Sequence, residues 1–95
     1  MKIKNYTERI IRSRILSKVT PGKISKKPKH WKGYIYIDNK LITKVKIPND
    51  HPRVMRHNKS QYVARDLKLT PKDFNRLMDC PMKRSEYYRK LAKHT

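Results

Sequence analysis

Gly33-Tyr34-Ile35-Tyr36-Ile37-Asp38-Asn39-Lys40-Leu41-Ile42-Thr43-Lys44-Val45-Lys46-Ile47 is the stretch on which the fold turns. β-Branched and aromatic residues fill both halves, and they suit a pleated, half-buried surface. Asp38-Asn39 stands between them, and both residue types tolerate the left-handed backbone of a tight primed turn. Together they read as an antiparallel hairpin. A two-residue loop, the favoured version, sets Tyr34 and Tyr36 on one face with Leu41, Val45 and Ile47. Ile35, Ile37, Ile42, Lys44 and Lys46 then share the other face. A three-residue loop reverses that partnership, because one step of register turns every side chain over. With the two-residue loop the tyrosines belong to the core first and are stacking platforms second.

Working outward, residues 23–32 read as a basic connector with five lysines and no acid. Before it, residues 1–22 read as a helix. Asn5 or Thr7 caps it, Glu8 lies in its first turn, and Tyr6, Ile10, Ile11, Ile15 and Val19 recur near helical period. Pro21-Gly22 stops it. On the other side, residues 33–58 hold the hairpin and a turn, Pro48-Asn49-Asp50-His51-Pro52, followed by a short strand or a loop at Arg53-Val54-Met55. Residues 59–95 read as short helices. Ser60 caps one carrying Tyr62, Val63 and Leu67. Thr70-Pro71-Lys72-Asp73 starts another, with a cap, a proline at the first helical position and an acid in the first turn. Phe74, Leu77 and Met78 form its buried face and Pro81 ends it. Ser85-Glu86 opens a last helix with Tyr87, Tyr88 and Leu91. The fold class is α+β: an N-terminal helix, a small antiparallel sheet of two or three strands, and short C-terminal helices packed on one side.

The charge of the chain bounds its partner. Its 95 residues carry 26 Lys and Arg against seven Asp and Glu, a formal net charge of +19. Hydrophobic residues are 36%, below the ~45–50% of ordinary soluble domains. A chain of this length makes one domain and has no room for a deep cofactor pocket. Self-repulsion at this charge is relieved by a polyanion, and nucleic acid is the obvious one. No run approaches the ~18 apolar residues of a membrane span, and the N-terminus lacks the apolar stretch of a signal peptide. The single cysteine, Cys80, makes no internal disulfide and fits a reducing cytoplasm.

Chemistry beyond binding has little to stand on. His30, His51, His57 and His94 show no zinc-type spacing, and Cys80 has no partner thiol. Two isolated glycines build no phosphate-cradling loop. Neither metal nor cofactor is implied. Backbone contact with RNA is served by Lys2, Lys4, Arg9, Arg12, Arg14, Lys18, Lys23, Lys26, Lys27, Lys29, His30, Trp31 and Lys32, with Arg53, Arg56, Lys59 and Arg65 as a second group. Trp31 either stacks on an unpaired base or packs against the sheet edge. His30, between Lys29 and Lys32 and just before the first strand, is the one candidate for acid–base cleavage of RNA, or a phosphate contact without chemistry. No sheet motif, zinc finger or helix-turn-helix signature for reading bases is present.

Lys29-His30 leading into Gly33-Tyr34-Ile35-Tyr36-Ile37-Asp38-Asn39-Lys40, then Lys46-Ile47-Pro48-Asn49 and a helix, resembles the small HicA-type toxins over residues 29–68. The resemblance implies a fold related to the double-stranded-RNA-binding domain. It also implies an endoribonuclease using His30, with an acidic antitoxin as partner. That family presents Gly-Ser before a His-His pair, whereas this chain reads Pro28-Lys29-His30-Trp31. In its small size and basic surface the chain is similar to a ribosomal protein. The expectation is therefore a cytoplasmic, non-catalytic binder of structured RNA, most simply ribosomal RNA, in the company of ribosomal proteins and away from membranes. A HicA-type toxin is the alternative, and a small double-stranded-DNA-binding protein the third.

Overall fold

Asp38 and Asn39 both take positive φ, 52° and 66°, so the chain reverses in the two-residue primed turn that these side chains tolerate. Lys40 faces Ile37 across the turn and Leu41 faces Tyr36, but the next pair is Ile35 with Thr43. Ile42 is the extra residue of a β-bulge. The loop length is therefore the expected one and Tyr36 keeps Leu41 as its partner, while the expected partnership of faces is overturned beyond the bulge. Beyond the bulge, Val45 and Ile47 share a face with Ile35, and all three are buried. Tyr34 and Tyr36 turn outward, beside Lys44 and Lys46, and are not core residues.

The computed structural model describes residues 2–27, 30–79 and 81–93, apart from the side chains of His30 and His57. Its elements are α1 (Glu8–Arg14), continued by a π-helical turn over Ile15–Val19, then β1 (Lys23–Lys27), β2 (His30–Ile37), β3 (Lys40–Ile47), α2 (His57–Asp66), α3 (Pro71–Met78) and α4 (Arg84–Ala92). They form an α+β globule with a three-stranded antiparallel sheet in the order β1-β2-β3. The Cα radius of gyration, 12.3 Å, matches the ~12.4 Å of one compact body of this length.

The third strand comes from the stretch read as a connector. β1 pairs with β2 from Lys23 opposite Tyr34 to Lys27 opposite His30, and the Gly22 amide extends the ladder to the Tyr34 carbonyl at 2.9 Å. Its sequence, Lys23-Ile24-Ser25-Lys26-Lys27, has a single apolar residue. Ile24 faces Gly33 and packs on the core. Hydrogen bonding to the free edge of β2 makes the strand, with almost no hydrophobic pattern behind it. At Arg53–Met55 the expected strand shrinks to one bridge, Thr7 with Val54.

Glycine at position 33 is required by packing. A Cβ there would lie 2.7 Å from Cγ of Pro21, a rigid ring that closes the end of the first helix over the sheet. Thr7 caps α1 by accepting from the Ile10 amide. Ile11, Ile15 and Val19 form its buried stripe, whereas Ile10, expected in that stripe, is 38% exposed. The helix ends at Thr20, whose φ of 45° is unusual for a β-branched residue. The Tyr88 hydroxyl bonds to the Val19 carbonyl and Arg84 Nε donates to Thr20 Oγ1 at 2.6 Å, so α4 holds that conformation.

Thr70 caps α3 as expected, accepting from the Asp73 amide at 3.2 Å. Ser60 does not cap α2: the helix begins at His57, and Ser60 is buried inside it. Asn75 ties the N-terminal segment to α3. Its amide accepts from Lys4 N at 3.0 Å and donates to the Lys2 carbonyl at 2.9 Å, as a neighbouring strand would. All four helices contribute to one core with the inner face of the sheet. The outer face stays open.

Candidate nucleic-acid interface

Strand alternation and the bulge together decide what that open face displays. Lys46 stands directly opposite Lys32, which in turn faces Ser25. One step along, Lys44 faces Tyr34, which faces Lys23. Adjacent strands are ~4.8 Å apart, so each row is a short cross-strand line of polar groups. Lys27 lies at the end of β1 on the same face. All five lysines are exposed. Tyr36 continues the aromatic line, and its ring lies so close to Gly22 that a Cβ there would sit 2.9 Å from Cδ2 of the ring.

Acidic residues are elsewhere. Between Lys23 and Ile47 the sequence has eight lysines and one acid, Asp38 in the turn. Glu8 pairs with Arg53, Asp50 with Arg9, Asp73 with Arg76 and Lys90, Asp79 with Lys4 and Glu86 with Arg76, all outside the sheet. Among the described residues, no ion pair includes a lysine of the sheet. Like charges directly opposite each other weaken a sheet. The Lys32–Lys46 pair thus costs the fold something that a bound anion would return.

The cations of the first helix have another fate. Arg14 Nε donates to the Met78 carbonyl at 2.9 Å, and Lys18 Nζ donates to the carbonyls of Met82 at 2.9 Å and Leu77 at 3.3 Å. They satisfy and neutralise the C-terminal end of α3, where unpaired carbonyls and the negative end of the helix dipole collect. Arg12 donates to the Pro48 carbonyl at 3.2 Å, and its guanidinium lies 4.1 Å from the centre of the Trp31 ring. Lys26 is on the same ring at 5.0 Å. Trp31 packs partly buried against the core on the inner face. Of the two roles open to it from sequence, packing is where its side chain lies.

Lys4 is engaged by Asp79 at 2.7 Å, Arg9 by Asp50 at 2.9 Å and Arg53 by Glu8. Lys2, Arg56 and Lys59 are exposed, and Arg65 leans on the Tyr62 ring at 4.9 Å. His30 opens β2 opposite Lys27. Its side chain, like that of His57, is outside the description, as are Lys29, Cys80 and His94. Among the described residues no three His, Cys, Asp or Glu side chains gather as a metal site, and no helix is long and apolar enough to cross a membrane.

Lys44, Lys46, Tyr34 and Tyr36 are the residues of this face that sequence reading left out of the binding set. Their signal was the lysine at every second position in Lys44-Val45-Lys46-Ile47, together with a bulge that nothing local announces. Compared with models of protein families, with curated proteins and with solved structures, the chain matches none.

Proposed function

We propose that the protein binds structured RNA without catalysis, gripping phosphates on the open face of its sheet, as a ribosomal or ribosome-associated component in the cytoplasm. One observation carries this reading: Lys32 and Lys46 face each other on an exposed sheet surface that has five lysines and no acid along its strands. Lys23 and Lys44 flank Tyr34 there, so that phosphate contact and base stacking are offered side by side. Arg14 and Lys18 serve the fold in this reading. Each phosphate neutralised releases counterions, and six to ten contacts give a salt slope of roughly −5 to −9. Holding of that kind suits a stoichiometric RNA clamp more than an enzyme that must release products.

Sedimentation of a cell extract tests it. The protein is expected to run with ribosomal particles at low salt and to leave them as salt rises. Finding it at the top of the gradient at low salt would remove the ribosomal part of the proposal. Competition between matched RNA and DNA duplexes at one salt concentration then separates RNA from the double-stranded-DNA alternative, since the 2′-hydroxyl and A-form shape differ.

A second reading, a HicA-type endoribonuclease with an acidic antitoxin, is favoured by His30 opening β2 and by the order helix, three antiparallel strands, helix. Induced expression would then arrest growth, and His30→Ala would relieve the arrest. A harmless wild type counts against it.

A further inference from the structure

Where β3 ends, a groove of about 450 Å³ opens between the strand and α2, within the ~300–1,000 Å³ of small-ligand sites. Its floor is apolar: Ile47, Met55 and Val63 are each less than 8% exposed. Its wall is Tyr62, an aromatic residue 54% exposed on the outer side of α2. Arg65 lies over that ring at 4.9 Å. This leaves a cation-backed aromatic surface of the kind on which bases stack.

We infer that this groove receives one unpaired base of the bound RNA. The inference rests on the RNA-binding reading and deepens it. Lys46 is the link, since it belongs both to the open sheet face, opposite Lys32, and to the rim of the groove. A strand whose phosphates cross the sheet therefore has a nucleotide beside Tyr62. The lining also holds three cations, Lys46, Arg53 and Lys59, so it is the apolar floor, the Tyr62 ring and the carboxylate of Asp66 that argue for a base in place of a further phosphate. Asp66 and Glu8 both line it, and a carboxylate repels phosphate but accepts from N–H groups. Glu8 is taken by Arg53. Asp66 is half-buried, and its side chain has no ion-pair partner among the described residues. It matches a base edge rich in donors. Guanine, with N1–H beside its N2 amino group, fits best of the four, and uracil fits worst.

The test is a hairpin RNA with a single bulged nucleotide, G, A, C or U in turn, against its fully paired parent at one salt concentration. The full-length wild type is expected to bind the bulged-G hairpin about 10-fold tighter than the parent, in line with stacking of one base. Tyr62→Ala is expected to bring that ratio close to one, and Tyr62→Phe to retain it. Equal binding of bulged and paired RNA by the wild type would overturn the groove assignment, as would a preference that survives Tyr62→Ala or is strongest for U. Failure to bind either RNA is a different result. It would overturn the RNA reading, and the groove with it.

Discussion

The first helix and the outer face of the sheet are equally basic as text and opposite in the folded molecule. Arg12, Arg14 and Lys18 point into the protein, where carbonyls of α3, Met82 and Pro48 and the Trp31 ring engage them. Lys23, Lys27, Lys32, Lys44 and Lys46 point away from it, and among the described residues none of them is in an ion pair. A cation near a helix C-terminus has a job in the fold. A cation opposite another cation on a strand has none, and stability alone would not select it. The net charge of +19 is thus divided between holding the protein together and presenting a surface to something else.

Charge reversal separates the two regions most forcefully. Lys32→Glu combined with Lys44→Glu and Lys46→Glu is expected to lower RNA affinity on the order of 1,000-fold and to flatten its salt dependence by about three units of slope. The melting temperature should hold. Arg14→Met with Lys18→Met should do the reverse, costing about 2–4 kcal/mol of stability, since partly buried carbonyls of α3 lose charged donors, with the salt slope unchanged. Denaturant titration and affinity measured across a salt series check both. If the helix variant moved the slope and the sheet variant did not, the division of labour would be inverted.

The helix side also depends on a polar clamp that the sheet side lacks. Asn75→Ala leaves Lys4 N–H and the Lys2 carbonyl without their partner in a part-buried setting. The expected loss is about 1–3 kcal/mol, read by urea denaturation. RNA affinity at a temperature well below the transition should not follow it. An affinity that fell in step with stability would tie the N-terminal segment to the interface.

How much of this was open to sequence reading depends on which interactions leave a local trace. The Asp38-Asn39 turn does, because its residues must accept positive φ. Thr70-Pro71-Lys72-Asp73 does too, because a cap, a helical first-position proline and a first-turn acid are all local. β1 leaves none. Lys23-Ile24-Ser25-Lys26-Lys27 is the composition of a linker, and it becomes a strand only because β2 offers a free edge. Lysines on such an outer strand also discourage pairing with another chain. The bulge is equally silent, as Ile42 and Thr43 are both good strand formers and either could be the extra residue. That one residue decides whether the tyrosines face the core or solvent. For the same reason the candidate interface was half legible: the front lysines were in view, but Lys44, Lys46, Tyr34 and Tyr36 acquire their common face only through tertiary register. Nor does spacing reveal that Arg14 and Lys18 reach α3, more than 50 residues away in the chain.

A single substitution sets the sheet's two interests against each other. Lys32→Glu places a carboxylate opposite Lys46 and replaces a like-charge pair with an opposite-charge one. Cross-strand pairs of this sort are worth about 0.2–1 kcal/mol, so the variant should be slightly more stable than the wild type while binding RNA less well. Thermal melts at low salt and a binding isotherm measure the two effects on one preparation. Loss of stability would mean that Lys32 has a structural partner, and the outer face would no longer contrast with the first helix.

The smallest effect lies with the exposed pair on the helix side. The Asp79 carboxyl is held below its ordinary value of 3.8 first by the hydrogen bond from Lys4, with Tyr6 and the charge of Arg14 adding to it, against a smaller opposing effect of burial. A carboxyl depressed in the folded state contributes stability above its unfolded pKa and loses it as pH falls through the folded one. The contribution is therefore whole at neutral pH and declines below about pH 4. Lys4 and Asp79 are 64% and 37% exposed, so solvent screening limits the pair to no more than about 0.5 kcal/mol. Lys4→Met should cost about that much at pH 7 in low salt, and progressively less both on acidification and in high salt. A cost that persisted in acid would place the contribution of Lys4 in its aliphatic stem packing on α3 and not in its charge. The helix side would then be held by contacts that salt does not reach, and the contrast with the sheet's unpartnered lysines would be sharper.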